Sequence, residues 1–133
     1  MIVVDTSVWI DFLRGRNSQP VVHLTEMIEA DEGIAITDII LGEVLQGAPS
    51  EREAARLHRR FSAFEIYRLE GIDDFRRAAW LYRQCRDQGM TVKKTLDCLI
   101  ATVCVREGLP ILHSDSDYDR LAACTDLQVV AVS

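Results

Sequence analysis

A chain of 133 residues with 48% apolar side chains is long enough to bury one sizeable core, so a single domain over residues 1–133 is expected. The net charge of −6 argues against a general, basic nucleic-acid binder, although acids gathered in one pocket and offset by divalent cations would give the same sum. No apolar run approaches the ~18–20 residues of a membrane span, and no basic segment precedes Ile2, so neither a membrane association nor a signal peptide is expected and a cytoplasmic protein is the default.

Ile2, Val3 and Val4 form a β-branched apolar run, the pattern of a strand buried on both faces. Asp5 ends it. Thr6 and Ser7 can cap the helix that follows, with Val8, Trp9, Phe12 and Leu13 as its apolar positions. Asp5 thus stands where a strand hands over to a helix, the edge at which open parallel sheets bind ligands. Pro20 suits the first turn of a second helix, which Gly33 stops, and residues 34–36 read as a second strand.

Thr37 has the character of an N-cap for a helix to Gln46. On it, Glu43 follows Ile36 and Ile40 at steps of four and three, so it shares a face with apolar residues. Ser50 and Glu53 form a capping-box pattern for a helix bearing Arg52, Arg56, Arg59 and Arg60. Residues 64–69 read as a third strand and 73–88 as a long amphipathic helix. Residues 90–94 form a loop with the adjacent lysines Lys93 and Lys94.

Thr95 is expected to cap a helix that is apolar nearly all round, hence buried, with Asp97 in its first turn. Residues 111–113 form a strand that opens into Asp115, Asp117 and Asp119, followed by a short helix. Residues 127–132 complete the pattern as a last strand. Short apolar strands alternating with helices predict an α/β fold with a parallel sheet covered on both faces. Cys85, Cys98, Cys104 and Cys124 make no CxxC pair and are expected reduced and mostly buried.

Asp5, Glu43, Asp97 and Asp115, with Asp117 two residues on, all fall at or one turn beyond the expected C-terminal edge of the sheet. Carboxylates gathered in a partly dry pocket repel one another, so some take up protons or a cation neutralises them. An all-oxygen set without cysteine points to Mg²⁺ or Mn²⁺ rather than zinc. Such a metal suits phosphate substrates, because it activates water and stabilises charge on a phosphodiester. Each acid also has a plain role open to it, as a helix cap, a dipole partner, a turn residue or half of an ion pair.

Three segments together resemble the PIN-domain ribonucleases, in particular the VapC toxins of toxin–antitoxin pairs: IVVDTSVWID, TDIILGEVLQGA and TLDCLIATVCVREGLPILHSDSDYDRLA. The resemblance runs over essentially the whole chain. It implies a three-layer α/β/α fold with a central, mainly parallel, five-stranded sheet. It also implies Mg²⁺- or Mn²⁺-dependent endonucleolytic cleavage of RNA, often tRNA; attack by a metal-activated water is then expected to leave 5′-phosphate and 3′-hydroxyl ends.

By the same resemblance the catalytic acids fall on Asp5, Glu43, Asp97 and Asp115. Asp117 is a fifth candidate ligand, and which of Asp115 and Asp117 lies closer to a metal stays open. Thr6 and Ser7 fall at the substrate phosphate, and Tyr118 stands where many relatives have phenylalanine, a mild change. VapC toxins pair with a VapB antitoxin, whose tail covers the active-site groove, and they dimerise.

Arg14, Arg86, Lys93 and Lys94 flank the acidic segments and could meet RNA phosphates, with a solvated face as the equal alternative. His113 reads as a packed strand histidine, and Trp9 and Trp80 as core or interface. Two rival functions remain. One is another Mg²⁺-dependent phosphoryl enzyme of the receiver or dehalogenase-like kind, disfavoured because residues 64–69 hold no aspartate and Asp5 opens no DxD. The other is a non-catalytic module whose acids bind a basic tail, which would need no metal.

Overall fold

The computed structural model describes residues 1–132; Ser133, the last residue of the expected domain, lies outside the described residues. The elements run β1 (Ile2–Val4), α1 (Thr6–Leu13), α2 (Gln19–Glu29), β2 (Ile34–Thr37), α3 (Asp38–Gln46), α4 (Glu51–Phe61), β3 (Glu65–Tyr67), α5 (Ile72–Asp87), α6 (Thr95–Glu107), β4 (Ile111–Leu112) and α7 (Ser116–Cys124). The strands form one sheet in the order β3-β2-β1-β4, and every ladder in it is parallel.

Val3 pairs with both Ala35 and Ile111, so β1 lies in the middle. Val3 and Val4 point to opposite faces and both are fully buried, which shows the sheet to be covered on either side. Helices α1 to α4 pack among themselves, as do α5 to α7. Trp9 anchors the first group: its ring meets Phe12, Phe61 and Phe64, and its indole N–H donates to the Val4 carbonyl at 3.1 Å. Trp80, by contrast, is half exposed.

Helix α6 is the buried helix that its composition predicts, with every side chain from Asp97 to Cys104 inside. Gly108 ends it in the left-handed conformation at φ 66°, where a side chain would be strained. The four cysteines are unpaired, and burial pushes the Cys98 and Cys104 thiols up to about 12.

Three local expectations change. Asp5, not Thr6 or Ser7, caps α1, accepting the Ser7 N–H at 3.0 Å. Lys94, not Thr95, is the cap residue of α6, and it supplies no side-chain hydrogen bond to that helix end. The expected fifth strand shrinks to a single parallel bridge between Val129 and Ile111. The reason lies in β4, whose chain leaves the sheet after Leu112 to form the acidic turn, so little ladder remains for a neighbour to extend.

This order places the site. From β1 the chain proceeds outward through β2 to β3, then returns across β1 to β4. The reversal lies between β1 and β4, and a crevice opens at the carboxyl ends of strands at such a point. Asp5 follows β1 and Asp115 follows β4, so the two acids flank that crevice.

Candidate functional site

Each acid reaches the crevice from a different element. Asp5 leaves β1 and turns its carboxylate back over the start of α1: Oδ2 accepts from the Ser7 N–H at 3.0 Å and from the Ser7 hydroxyl at 2.6 Å. That hydroxyl in turn accepts the Ser114 N–H at 2.9 Å, tying the β1 and β4 ends together. Glu43, half-buried on the inner face of α3, accepts the Thr6 hydroxyl at 2.7 Å. Thr6 and Ser7 therefore hold carboxylates.

Asp97 enters from the first turn of α6 and is only 5% exposed. Its Oδ2 is buried and meets no hydrogen-bond donor among the described residues. Burial, then the charges of Asp115 and Asp5, push its carboxyl up to about 8. Burial likewise raises Glu43, reinforced by Asp5 and opposed by the Thr6 hydrogen bond. Asp115 goes the other way. Burial pushes it up, but the Lys94 ammonium at 2.8 Å and the Asp117 N–H at 3.0 Å outweigh that and hold it below the usual carboxylate range.

Asp117 differs from Asp115 in kind. It is 1% exposed, and its two oxygens accept the N–H groups of Lys93 and Lys94 at 3.1 Å and an Arg120 N–H at 2.9 Å. A ligand oxygen from each of Asp97, Asp115 and Asp117 lies within 4.8 Å of the others, close enough to share an ion. Of the three, Asp117 has its charge most fully spent on the protein.

The residues present fit a hard divalent cation. The donors are all carboxylate oxygens, burial and then the neighbouring acidic charges raise the carboxyls of Asp97 and Glu43, and one buried oxygen stands without a partner. The PIN-domain family model matches residues 2–123, a span that holds every one of these acids.

The chain belongs to the PIN-domain family.

Within that family it is similar to ribonuclease VapC11 of Mycobacterium tuberculosis, with 34% identity over 132 residues that cover 98% of both chains. It is also 34% identical to ribonuclease VapC51 of the same organism over 111 residues, 83% of this chain and 80% of that one. These relatives place it among the VapC ribonucleases. Among solved structures, VapBC2 of Rickettsia felis, bound to a fragment of its promoter DNA, matches over the full length of both chains with a TM-score of 0.74 at 17% identity. Mycobacterium tuberculosis VapC20, described as a toxin that cleaves the sarcin–ricin loop, has the same fold with a TM-score of 0.68 at 18% identity over both full chains.

Of the sequence-derived residues, this PIN domain gathers Asp97, Asp115 and Asp117 within ion-sharing distance, with Lys94 on Asp115; Asp5, held by Ser7, joins them through the Tyr118 hydroxyl, while Glu43, held by Thr6, lies outside that ion-sharing group. Arg14, Arg86 and Lys93 are exposed and hold no carboxylate of the cluster with their side chains. His113 packs against Tyr118, accepts the Asp115 N–H at Nδ1 and reaches Asp119 with Nε2, both at 3.1 Å, as a packed histidine should.

Two features were not legible in advance. Lys94 enters the acidic cluster itself, where the apolar helices supply no basic residue. Tyr118 is more than a mild change: its hydroxyl lies 2.8 Å from Asp5 Oδ1 and 3.2 Å from Asp97 Oδ1. The available signal was a tyrosine on the apolar face of a helix opening at an acidic edge, since a buried phenol seeks a partner.

Proposed function

We propose that this chain is the toxin of a VapBC-type pair, a Mg²⁺- or Mn²⁺-dependent endoribonuclease. The observation that carries the metal is the buried Asp97 Oδ2, unpartnered, with ligand oxygens of Asp115 and Asp117 within 4.8 Å of a ligand oxygen of Asp97 and the Asp5 charge close enough to act on it. Asp5, Asp97 and Asp115 hold the cation, with Glu43 contributing directly or through water. Asp117 keeps the Lys93–Lys94 backbone and the start of α6 in register. When bound, the ion supplies an activated water and neutralises charge on the scissile phosphate.

The remaining work falls to the protein. Ser7 orients Asp5, and Thr6 orients Glu43. Lys94, with an exposed side chain and its ammonium on Asp115, is suited to receive an RNA phosphate at the rim. The buried positions of Asp5 and Asp97 strengthen the charge interactions they make.

RNA is the substrate, with tRNA the first class to test, and single-stranded loops are its readable feature. The partner is a VapB-type antitoxin, consistent with solved relatives such as VapBC-5 of Mycobacterium tuberculosis, which shares the fold with a TM-score of 0.64. An antitoxin arginine is chemically matched to this pocket of carboxylates. We further infer a homodimer working in the cytoplasm; no helix among the described residues is long and apolar enough to cross a membrane.

The test is cleavage of total cellular RNA by antitoxin-free protein with Mg²⁺ or Mn²⁺, with EDTA, and with Asp97→Asn. Discrete fragments with 5′-phosphate ends that vanish with EDTA and with the variant support the assignment. A 2′,3′-cyclic phosphate product would overturn it, because that product requires attack by the ribose hydroxyl.

A further inference from the structure

The Tyr118 side chain is fully buried, and its ring lies 5.3 Å from that of His113. Its hydroxyl projects between two carboxylates that arrive from separate parts of the fold, Asp5 after β1 and Asp97 at the start of α6. Asp5 is held at both oxygens, by Ser7 at Oδ2 and by Tyr118 at Oδ1. For Asp97 the structure offers Tyr118 at Oδ1 and no donor at Oδ2 among the described residues. The hydroxyl therefore occupies one oxygen of each acid and leaves Asp97 Oδ2 as the unclaimed one.

A phenol has one proton and can donate to one carboxylate at a time. The second carboxylate then faces the lone pairs of the phenol oxygen, a repulsive contact unless that carboxyl carries a proton of its own to donate or a nearby cation offsets the charge. The arrangement brings the two acids together at fixed rotamers and depends on a neutralising partner.

We propose that Tyr118 is a positioning residue for the cation site: its hydroxyl joins Asp5 to Asp97 and sets the orientation in which the pair receives a divalent ion. This rests on the metal-dependent reading above. Hydrogen bonds that orient metal-binding side chains typically change metal affinity by about 10- to 100-fold when removed.

The experiment is Mn²⁺ binding by calorimetry to the full antitoxin-free chain, in wild type, Tyr118→Phe and Asp97→Asn, with the circular dichroism of each as a check on folding. Phe keeps every ring atom and removes only the hydroxyl. The expected result is binding by wild type, loss of binding in Asp97→Asn, and a dissociation constant raised about tenfold in Tyr118→Phe, with a smaller Mn²⁺-induced rise in melting temperature. Site-specific 3-fluorotyrosine at position 118, which retains the hydroxyl, should bind as wild type does.

That fluorinated protein also gives a readout independent of the Phe variant's folding. Its ¹⁹F resonance should move on Mg²⁺ titration, with a midpoint that matches Mg²⁺ calorimetry on the same protein. Wild-type affinity in Tyr118→Phe, or a ¹⁹F signal unmoved at saturating Mg²⁺, overturns the role of Tyr118 while the metal site stands. Absence of Mn²⁺ binding by wild type overturns both.

Discussion

The Lys94 ammonium lies 2.8 Å from Asp115 Oδ2, so a cation of the protein's own already sits on one of the carboxylates assigned to the metal. The hydrogen bond to Asp115 raises the Lys94 pKa further, and the ammonium persists at any working pH. Its attraction for Asp115 and its repulsion of a nearby divalent ion act in the same direction, against metal binding.

Replacing Lys94 by Met should therefore tighten Mn²⁺ binding, by roughly three- to tenfold for an exposed charge at this range. The same change should raise KM for RNA and flatten its salt dependence, because a phosphate contact is lost. Calorimetry and initial rates at two salt concentrations give both numbers. A lysine that only decorates the surface would move neither.

Asp115 and Asp117 stand two residues apart and should fail in different ways. Asp117→Asn turns an amide toward backbone N–H donors and leaves Arg120 short of its partner. The expected loss is ~2 kcal/mol of stability in urea unfolding. Asp115→Asn should keep the fold near wild-type stability but lower kcat/KM by at least ~100-fold, since the change removes a charge from the proposed cation site. The reverse pattern would exchange the two roles.

How far the sequence could be read follows from how local each feature is. Asp5 and Asp97 were legible because one ends an apolar strand and the other opens an apolar helix, positions fixed by neighbours in the chain. Glu43 was legible from its spacing against Ile36 and Ile40. The Tyr118 hydroxyl bonds were not, because they join residues 113 and 21 positions apart. The Lys94–Asp115 pair spans 21 positions for the same reason. The fifth strand was over-read because an apolar run such as 127–132 has β-propensity whether or not its neighbour has ladder left to offer.

Arg106 belongs to this class of long-range contacts, and it sits at the far end of α6 from Asp97. Its guanidinium bonds the Arg68 carbonyl at 2.7 Å and Asp74 at 3.2 Å, and pairs with Glu70 at 3.0 Å and Glu107 at 2.9 Å. Asp74 is 2% exposed and its Oδ2 also accepts the Glu70 N–H at 2.6 Å, so removing the arginine leaves a buried carboxylate with that N–H but without its counter-ion. Arg106→Met should cost about 3 kcal/mol in urea unfolding. Mn²⁺ affinity at low temperature should stay at the wild-type value, which separates this clamp from the site.

The raised carboxyl of Asp97 makes the metal-free protein sensitive to pH with a definite sign. Its ordinary value is 3.8, and the folded chain pushes it up to about 8. Between those values the folded state holds a proton that the unfolded state has released. Stability from this group is thus complete below about pH 4 and is lost as pH rises through about 8. In EDTA, the melting temperature should fall from pH 5.5 to pH 9. Asp97→Asn cannot release that proton, so its melting temperature should fall less and exceed that of wild type at pH 9, by an amount equivalent to ~1–3 kcal/mol. Added Mn²⁺ should restore wild type at pH 9 and leave the variant unchanged, because the ion replaces the proton as the partner of that buried oxygen. A wild type and variant with parallel pH profiles in EDTA would show that Asp97 is ionised in the metal-free fold and that the cluster's charge is offset elsewhere.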